Sequence, residues 1–134
     1  MQLGTWQRSF LFTGLAFWVL TLGVSQAEEG SEGVFRHVVL LKFTETATEE
    51  QIVEIETEFA KLPDEIDTIT GFEWGRTKTV EVDLAKGYTH CFLVTFADQA
   101  GLEAYLPHPA HKAFVAKLRP ILEEVHVFDY VPGE

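Results

Sequence analysis

The stretch Val34-Phe35-Arg36-His37-Val38-Val39-Leu40-Leu41-Lys42-Phe43-Thr44 alternates Phe35, His37, Val39, Leu41 and Phe43 with Val34, Arg36, Val38, Leu40 and Lys42. A period of two is the pattern of a β-strand, and both faces of this one are largely apolar. Such a strand needs cover on both sides. In a chain of 134 residues a few helices can cover one face, so a homodimer packed through the sheet is the expected cover for the other.

Reading outward, Thr48 followed three residues later by Gln51 is a capping-box pattern, and Ile52, Ile55, Phe59 and Leu62 recur at helical spacing. A first helix is predicted over residues 48–62, with Pro63 as its stop. Residues 71–79 read as a strand, 81–87 as a polar loop and 88–96 as a third strand. In that third strand His90, Phe92, Val94 and Phe96 share one face, with Thr89, Cys91, Leu93 and Thr95 on the other. Asp98 is a suitable N-cap for a short helix carrying Leu102, Tyr105 and Leu106. Pro109 fits the first turn of a further helix, where its missing N–H costs nothing. His111, Phe114, Val115 and Leu118 then fall at i, i+3, i+4 and i+7 on one face, and Pro120 bends or shortens that helix. A last strand has Val125, Val127 and Asp129 in phase.

The order β-α-β-β-α-β predicts an α+β, ferredoxin-like fold: an antiparallel sheet with helices on one face. One domain is expected over residues 34–131, followed by a short tail, 132–134. Residues 10–24 form an apolar run of about 15 residues, shorter than the roughly 20 needed to span a bilayer. Ser25-Gln26-Ala27 closes the run with small residues, so 1–27 read as a cleaved signal peptide, with an uncleaved N-terminal anchor as the alternative, and 28–33 as an acidic linker. Export to the periplasm or the extracellular space is expected, with no stable membrane insertion after cleavage. The formal charge of −11 repels phosphate backbones, which argues against nucleic acid as a partner. Cys91 is the single cysteine, so neither an intrachain disulfide nor a four-thiolate metal site can form.

The strand and helix phases place His37, His90 and His111, with Asp129, on apolar faces that are expected to meet between sheet and helices. A buried polar ring left unpaired costs on the order of 1–3 kcal/mol, and three rings exceed what packing requires. We therefore expect an intramonomer pocket lined by His37, His90, Phe92, Val39, Leu41, Phe114 and Val115. It would take a small apolar or aromatic molecule. A histidine metal site is the first chemical alternative, but no ligand-spacing motif accompanies these rings, and neither metal nor cofactor is expected. The second is acid–base catalysis: His111 removes a proton beside a carbonyl while Tyr105 hydrogen-bonds the developing enolate oxygen, with Asp129 in support. His108, beside Pro109 and out of phase with the stripe, reads as a loop or cap residue.

Several segments in order resemble the stress-responsive A/B barrel (Dabb, dimeric α/β barrel) family. They are Arg36-His37-Val38-Val39-Leu40-Leu41-Lys42-Phe43, Gly71-Phe72-Glu73-Trp74-Gly75, Gly87-Tyr88-Thr89-His90, the stretch from Tyr105 to His111, and Phe128-Asp129-Tyr130. The resemblance implies a ferredoxin-like monomer whose sheet packs on a partner's sheet to close a barrel. Some plant members are polyketide cyclases that close a linear chain by intramolecular aldol condensation. Their tyrosine and histidine match Tyr105 and His111, and their pocket histidines match His37 and His90. The chain departs from those cyclases in the pocket walls: Phe92 stands where they have a smaller apolar residue, and Ala113 and Ala116 differ from their helix, so the resemblance leaves the substrate's size open. Two readings follow, a small-molecule binding module and a cofactor-free acid–base enzyme.

Overall fold

The computed structural model describes residues 34–134; the expected signal peptide and linker lie outside them. The element order is β1 (Phe35–Phe43), α1 (Glu49–Glu65), β2 (Ile69–Arg76), α2 (Val82–Ala85), β3 (His90–Phe96), α3 (Gln99–Tyr105), α4 (Pro109–Leu118), a 3₁₀ turn (Arg119–Ile121) and β4 (Leu122–Tyr130). The strands pair antiparallel in the order β2-β3-β1-β4. This is the ferredoxin-like arrangement that the element order predicts.

The caps form as their chemistry dictates. Thr48 and Gln51 bond each other's backbone at the start of α1, and the Asp98 carboxylate accepts from the Gly101 N–H at 2.9 Å to start α3. One expected stop is not a stop. Pro63 lies inside α1, which runs on to Glu65. In the last turn its ring forfeits only one backbone bond, and the Ile66 N–H still reaches the Leu62 carbonyl at 2.9 Å, because buried Ile66 and Leu62 anchor that turn in the core. Other limits shift as well. β2 occupies Ile69–Arg76, β3 starts at His90, β4 starts at Leu122, and the expected polar loop holds the single turn α2.

Between the sheet and the helices lies an aromatic core. Phe92 is fully buried, stacked on Phe59 at 4.3 Å between ring centroids and flanked by Trp74 at 5.6 Å. Phe59 in turn meets Phe114 of α4 at 4.5 Å. Rings that bury this much area dominate the core's energetics.

Among the described residues, the single turn α2 is the only helical element at the opposite face of the sheet. There Val38, Leu40 and Leu93 are half-buried and Phe128 is 59 % exposed. A cavity of about 810 Å³ opens on this face beside the β2–β3 connection, lined in part by Val38, Leu40, Leu84, Cys91, Leu93 and His126. β1 is therefore two-faced, as its alternation requires, with one face in the core and one left largely uncovered by the described residues.

Candidate functional site

At one end of the helical layer the chain turns from α3 into α4 through Leu106-Pro107-His108-Pro109. Pro109 takes the first helical position and His108 the N-cap, its Nδ1 accepting from the Ala110 N–H at 3.2 Å. In an uninterrupted helix that N–H would bond the Leu106 carbonyl. Freed from it, the carbonyl is met by His111 Nδ1 at 3.0 Å. A carbonyl oxygen can only accept, so Nδ1 carries the proton, and Nε2 of the neutral ring is left with its lone pair.

Across the break the Tyr105 and His111 rings lie 4.2 Å apart between centroids. Tyr105 is 1 % exposed, and burial pushes its phenol well above the usual tyrosine range, keeping it a hydrogen-bond donor. His111 is half-buried. Burial holds its pKa below the ordinary 6.5; the Leu106 carbonyl opposes this, and repulsion from His37 and His108 adds to it.

Behind Tyr105, the His37 ring stands edge-on to the phenol at 6.0 Å. His37 Nδ1 donates to Asp129 Oδ1 at 2.6 Å, a contact set by the register that places His37 opposite Asp129 in the β1–β4 ladder. Asp129, His37, Tyr105 and His111 thus form one succession from the edge strand to α4.

His90 does not join it. The expected convergence of three histidines fails because alternation fixes a side chain's face and not its place along the strand. His37 pairs with Val94, while His90 pairs with Leu41. Four residues of strand separate the two levels, roughly 13 Å. His90 instead donates Nε2–H to Glu56 Oε1 at 2.9 Å, while its Nδ1 meets the Thr89 hydroxyl at 2.8 Å. Arg76 Nε donates to the same Glu56 oxygen at 2.5 Å, and its other arm reaches Glu49 at 2.7 Å. Glu56 and Arg76 were missed from the sequence. Both carried a signal: Glu56 lies four residues after Ile52 and three before Phe59, on the buried stripe of α1, and Arg76 is in phase with Phe72 and Trp74.

The expected pocket walls divide in the same way. Val39, Leu41, Phe92 and Phe114 are core residues, Phe92 and Phe114 being packed against Phe59. Val115 and His111 line an open groove of about 380 Å³ together with Leu106, Lys112, Ala116 and Arg119. Among the described residues, no three histidine, cysteine or acidic side chains gather as a metal-holding group, and no helix is long and apolar enough to cross a membrane.

The family model described as Stress responsive A/B Barrel Domain matches residues 35–132. The chain is 35 % identical over 104 residues to the stress-response A/B barrel domain-containing protein HS1 of Arabidopsis thaliana, covering 78 % of this chain and 94 % of that one. It is 33 % identical over 97 residues to olivetolic acid cyclase of Cannabis sativa, with coverage of 72 % and 95 %. Among solved structures it resembles a dimeric ferredoxin-like protein from Jannaschia sp. CCS1, with a TM-score of 0.64, 27 % identity and coverage of 73 % and 98 %.

The Glu56 cluster gives a pH prediction. Arg76 foremost, then His90, hold the Glu56 carboxyl below its ordinary 4.5, against the opposing effect of burial. A depressed native pKa contributes stability that is complete above the unfolded value and is lost as pH falls through the native one. Glu56→Gln should cost about 1–3 kcal/mol near neutrality. In urea unfolding across pH, the gap between wild type and variant should narrow on acidification below about pH 4.5; a gap that stays constant would show that Glu56 is not held as an ion.

Proposed function

Because the chain belongs to the stress-responsive A/B barrel domain family, we propose that it is a cofactor-free acid–base enzyme acting on a small carbonyl compound with an acidic C–H beside the carbonyl. The observation that carries this reading is the His111 Nδ1 bond to the Leu106 carbonyl, which leaves Nε2 as a free base next to a buried phenol. His111 Nε2 takes the proton from the carbon, and the C–H electron pair moves onto the carbonyl oxygen as an enolate. The Tyr105 hydroxyl donates a hydrogen bond to that oxygen as its charge develops. The imidazolium then returns the proton to carbon, or the enolate carbon attacks a second carbonyl of the same molecule and its new alkoxide takes the proton. The latter is the aldol closure of a cyclase, a reaction class in keeping with olivetolic acid cyclase as a relative.

Each group suits its part. A base works best with a pKa near the working pH, and the lowered pKa of His111 keeps it unprotonated at neutrality. His37, held by Asp129, is a positioning residue that packs edge-on against the phenol. Phe59 and Phe92 fill the intramonomer interior expected to hold an apolar ligand, which weakens the binding-only reading at that place.

Two features of the assembled protein belong to the same proposal. The chain is exported once residues 1–27 are removed, and it forms a homodimer through the sheet face that bears Val38, Leu40, Leu93 and Phe128. The exposed apolar area there and the dimeric ferredoxin-like relative support the homodimer.

Deuterium incorporation beside the carbonyl, followed by NMR in D₂O over a panel of small ketones and keto acids, tests the chemistry. His111→Ala should reduce exchange to background, and Tyr105→Phe should slow it by about 10²–10³-fold. Activity should fall away on the acid side only below pH 6.5. Exchange in His111→Ala equal to wild type would remove His111 as the base. For the assembly, light scattering of the chain lacking residues 1–27 should give twice the monomer mass, and a monomer mass would overturn the dimer.

A further inference from the structure

The groove beside His111 has a charge character opposite to that of the chain. Acidic residues outnumber basic ones 21 to 10, yet the charged side chains lining this groove are Lys112 and Arg119, with no carboxylate among its walls. Neither cation has an acidic partner within ion-pair distance among the described residues. Lys117 on the same helix does: it is gripped by Glu58 at 2.6 Å and approached by Glu54 at 3.6 Å. A chain this acidic has carboxylates to spare, and at α4 they are spent on the side away from the groove.

The spacing makes the two cations a pair. Residues 112, 115, 116 and 119 stand at i, i+3, i+4 and i+7, on one face of the helical turns. Lys112 is one residue from the base and Arg119 two turns further on, about 10 Å along the axis. Between them the floor is apolar, made of Val115 and Ala116. At about 380 Å³ the groove lies toward the small end of ligand pockets.

We propose that the compound taken by the His111 site is a small organic carboxylate, its anionic end held by Lys112 or Arg119 and its apolar body laid on Val115 and Ala116. This inference rests on the acid–base reading of His111 and names its substrate class. Against the field of an acidic protein, two unneutralised cations at the mouth also draw an anion to this place rather than elsewhere on the surface. Arg119 offers the planar fork that matches a carboxylate, and Lys112 a point charge.

The test uses phenylpyruvate, a keto acid with an exchangeable C–H, and its uncharged counterpart 4-phenylbutan-2-one, with NMR titration of the chain lacking residues 1–27. Phenylpyruvate should bind at least about tenfold more tightly, equivalent to 1.4 kcal/mol, with shifts centred on α4. The preference should fall with added salt and disappear in a Lys112→Gln, Arg119→Gln double variant, whose exposed positions leave the fold intact. Equal affinity for the two compounds, binding of neither, or a preference unchanged in the double variant would overturn the proposal. The underlying reading is scored separately by deuterium exchange. Selective binding of phenylpyruvate with exchange no faster than in His111→Ala would sink the acid–base reading and, with it, the naming of a substrate. Exchange of the neutral ketone as readily as the keto acid would sink the carboxylate and leave His111 as the base.

Discussion

One displaced hydrogen bond organises the site. Where α3 gives way to α4, the His108 ring takes the Ala110 N–H, and the Leu106 carbonyl that would have received it is free to hold His111 Nδ1. Two prolines make this possible. Pro107 and Pro109 carry no N–H, so neither can close the turn in the ordinary helical way. The imidazole is fixed in one tautomer by backbone geometry, without a carboxylate partner that would raise its pKa and keep it protonated. The same break brings Tyr105 against it.

The aromatic core then decides where chemistry has room. Phe59, Phe92, Phe96 and Phe114 fill the space between sheet and helices, and Phe96 packs against Tyr105 at 5.2 Å. The phenol therefore rests on a wall that resists rearrangement, since a packed interior transmits small displacements poorly tolerated by its neighbours. The accessible space is displaced outward, to the edge where His111, Leu106 and Val115 meet solvent. His111 lines that space, and Tyr105 lies buried against it on the core side. On the far side of the sheet the apolar face of β1 is left largely uncovered by the described residues.

Much of this was legible in the residues. The two-faced alternation of β1, the caps at Thr48 and Asp98, Pro109 as first helical residue and the stripe from His111 to Leu118 all follow from local chemistry, and each forms. The phase of Asp129 with Val125 and Val127 put it on the face of His37, and the ladder register made them partners. Less legible was anything that depends on distance along an element. His90 has the right face and the wrong level, because its register with β1 is set by pairing across the sheet and not by period. Pro63 is a helix breaker by rule and a helix residue in fact, since tertiary anchoring by Leu62 and Ile66 outweighs one lost bond. The groove that Lys112 and Arg119 share was not legible, since it also takes a wall from Leu106 in the preceding turn.

The most direct measurement is nitrogen-resolved NMR of the His111 imidazole across a pH titration, with His111→Ala to assign the signals. The expected result is a neutral ring protonated on Nδ1, with Nε2 bare and a titration midpoint below 6.5. A ring that carries its neutral-form proton on Nε2, or that titrates at or above 6.5, would contradict the assignment of His111 as a base made ready by the Leu106 carbonyl.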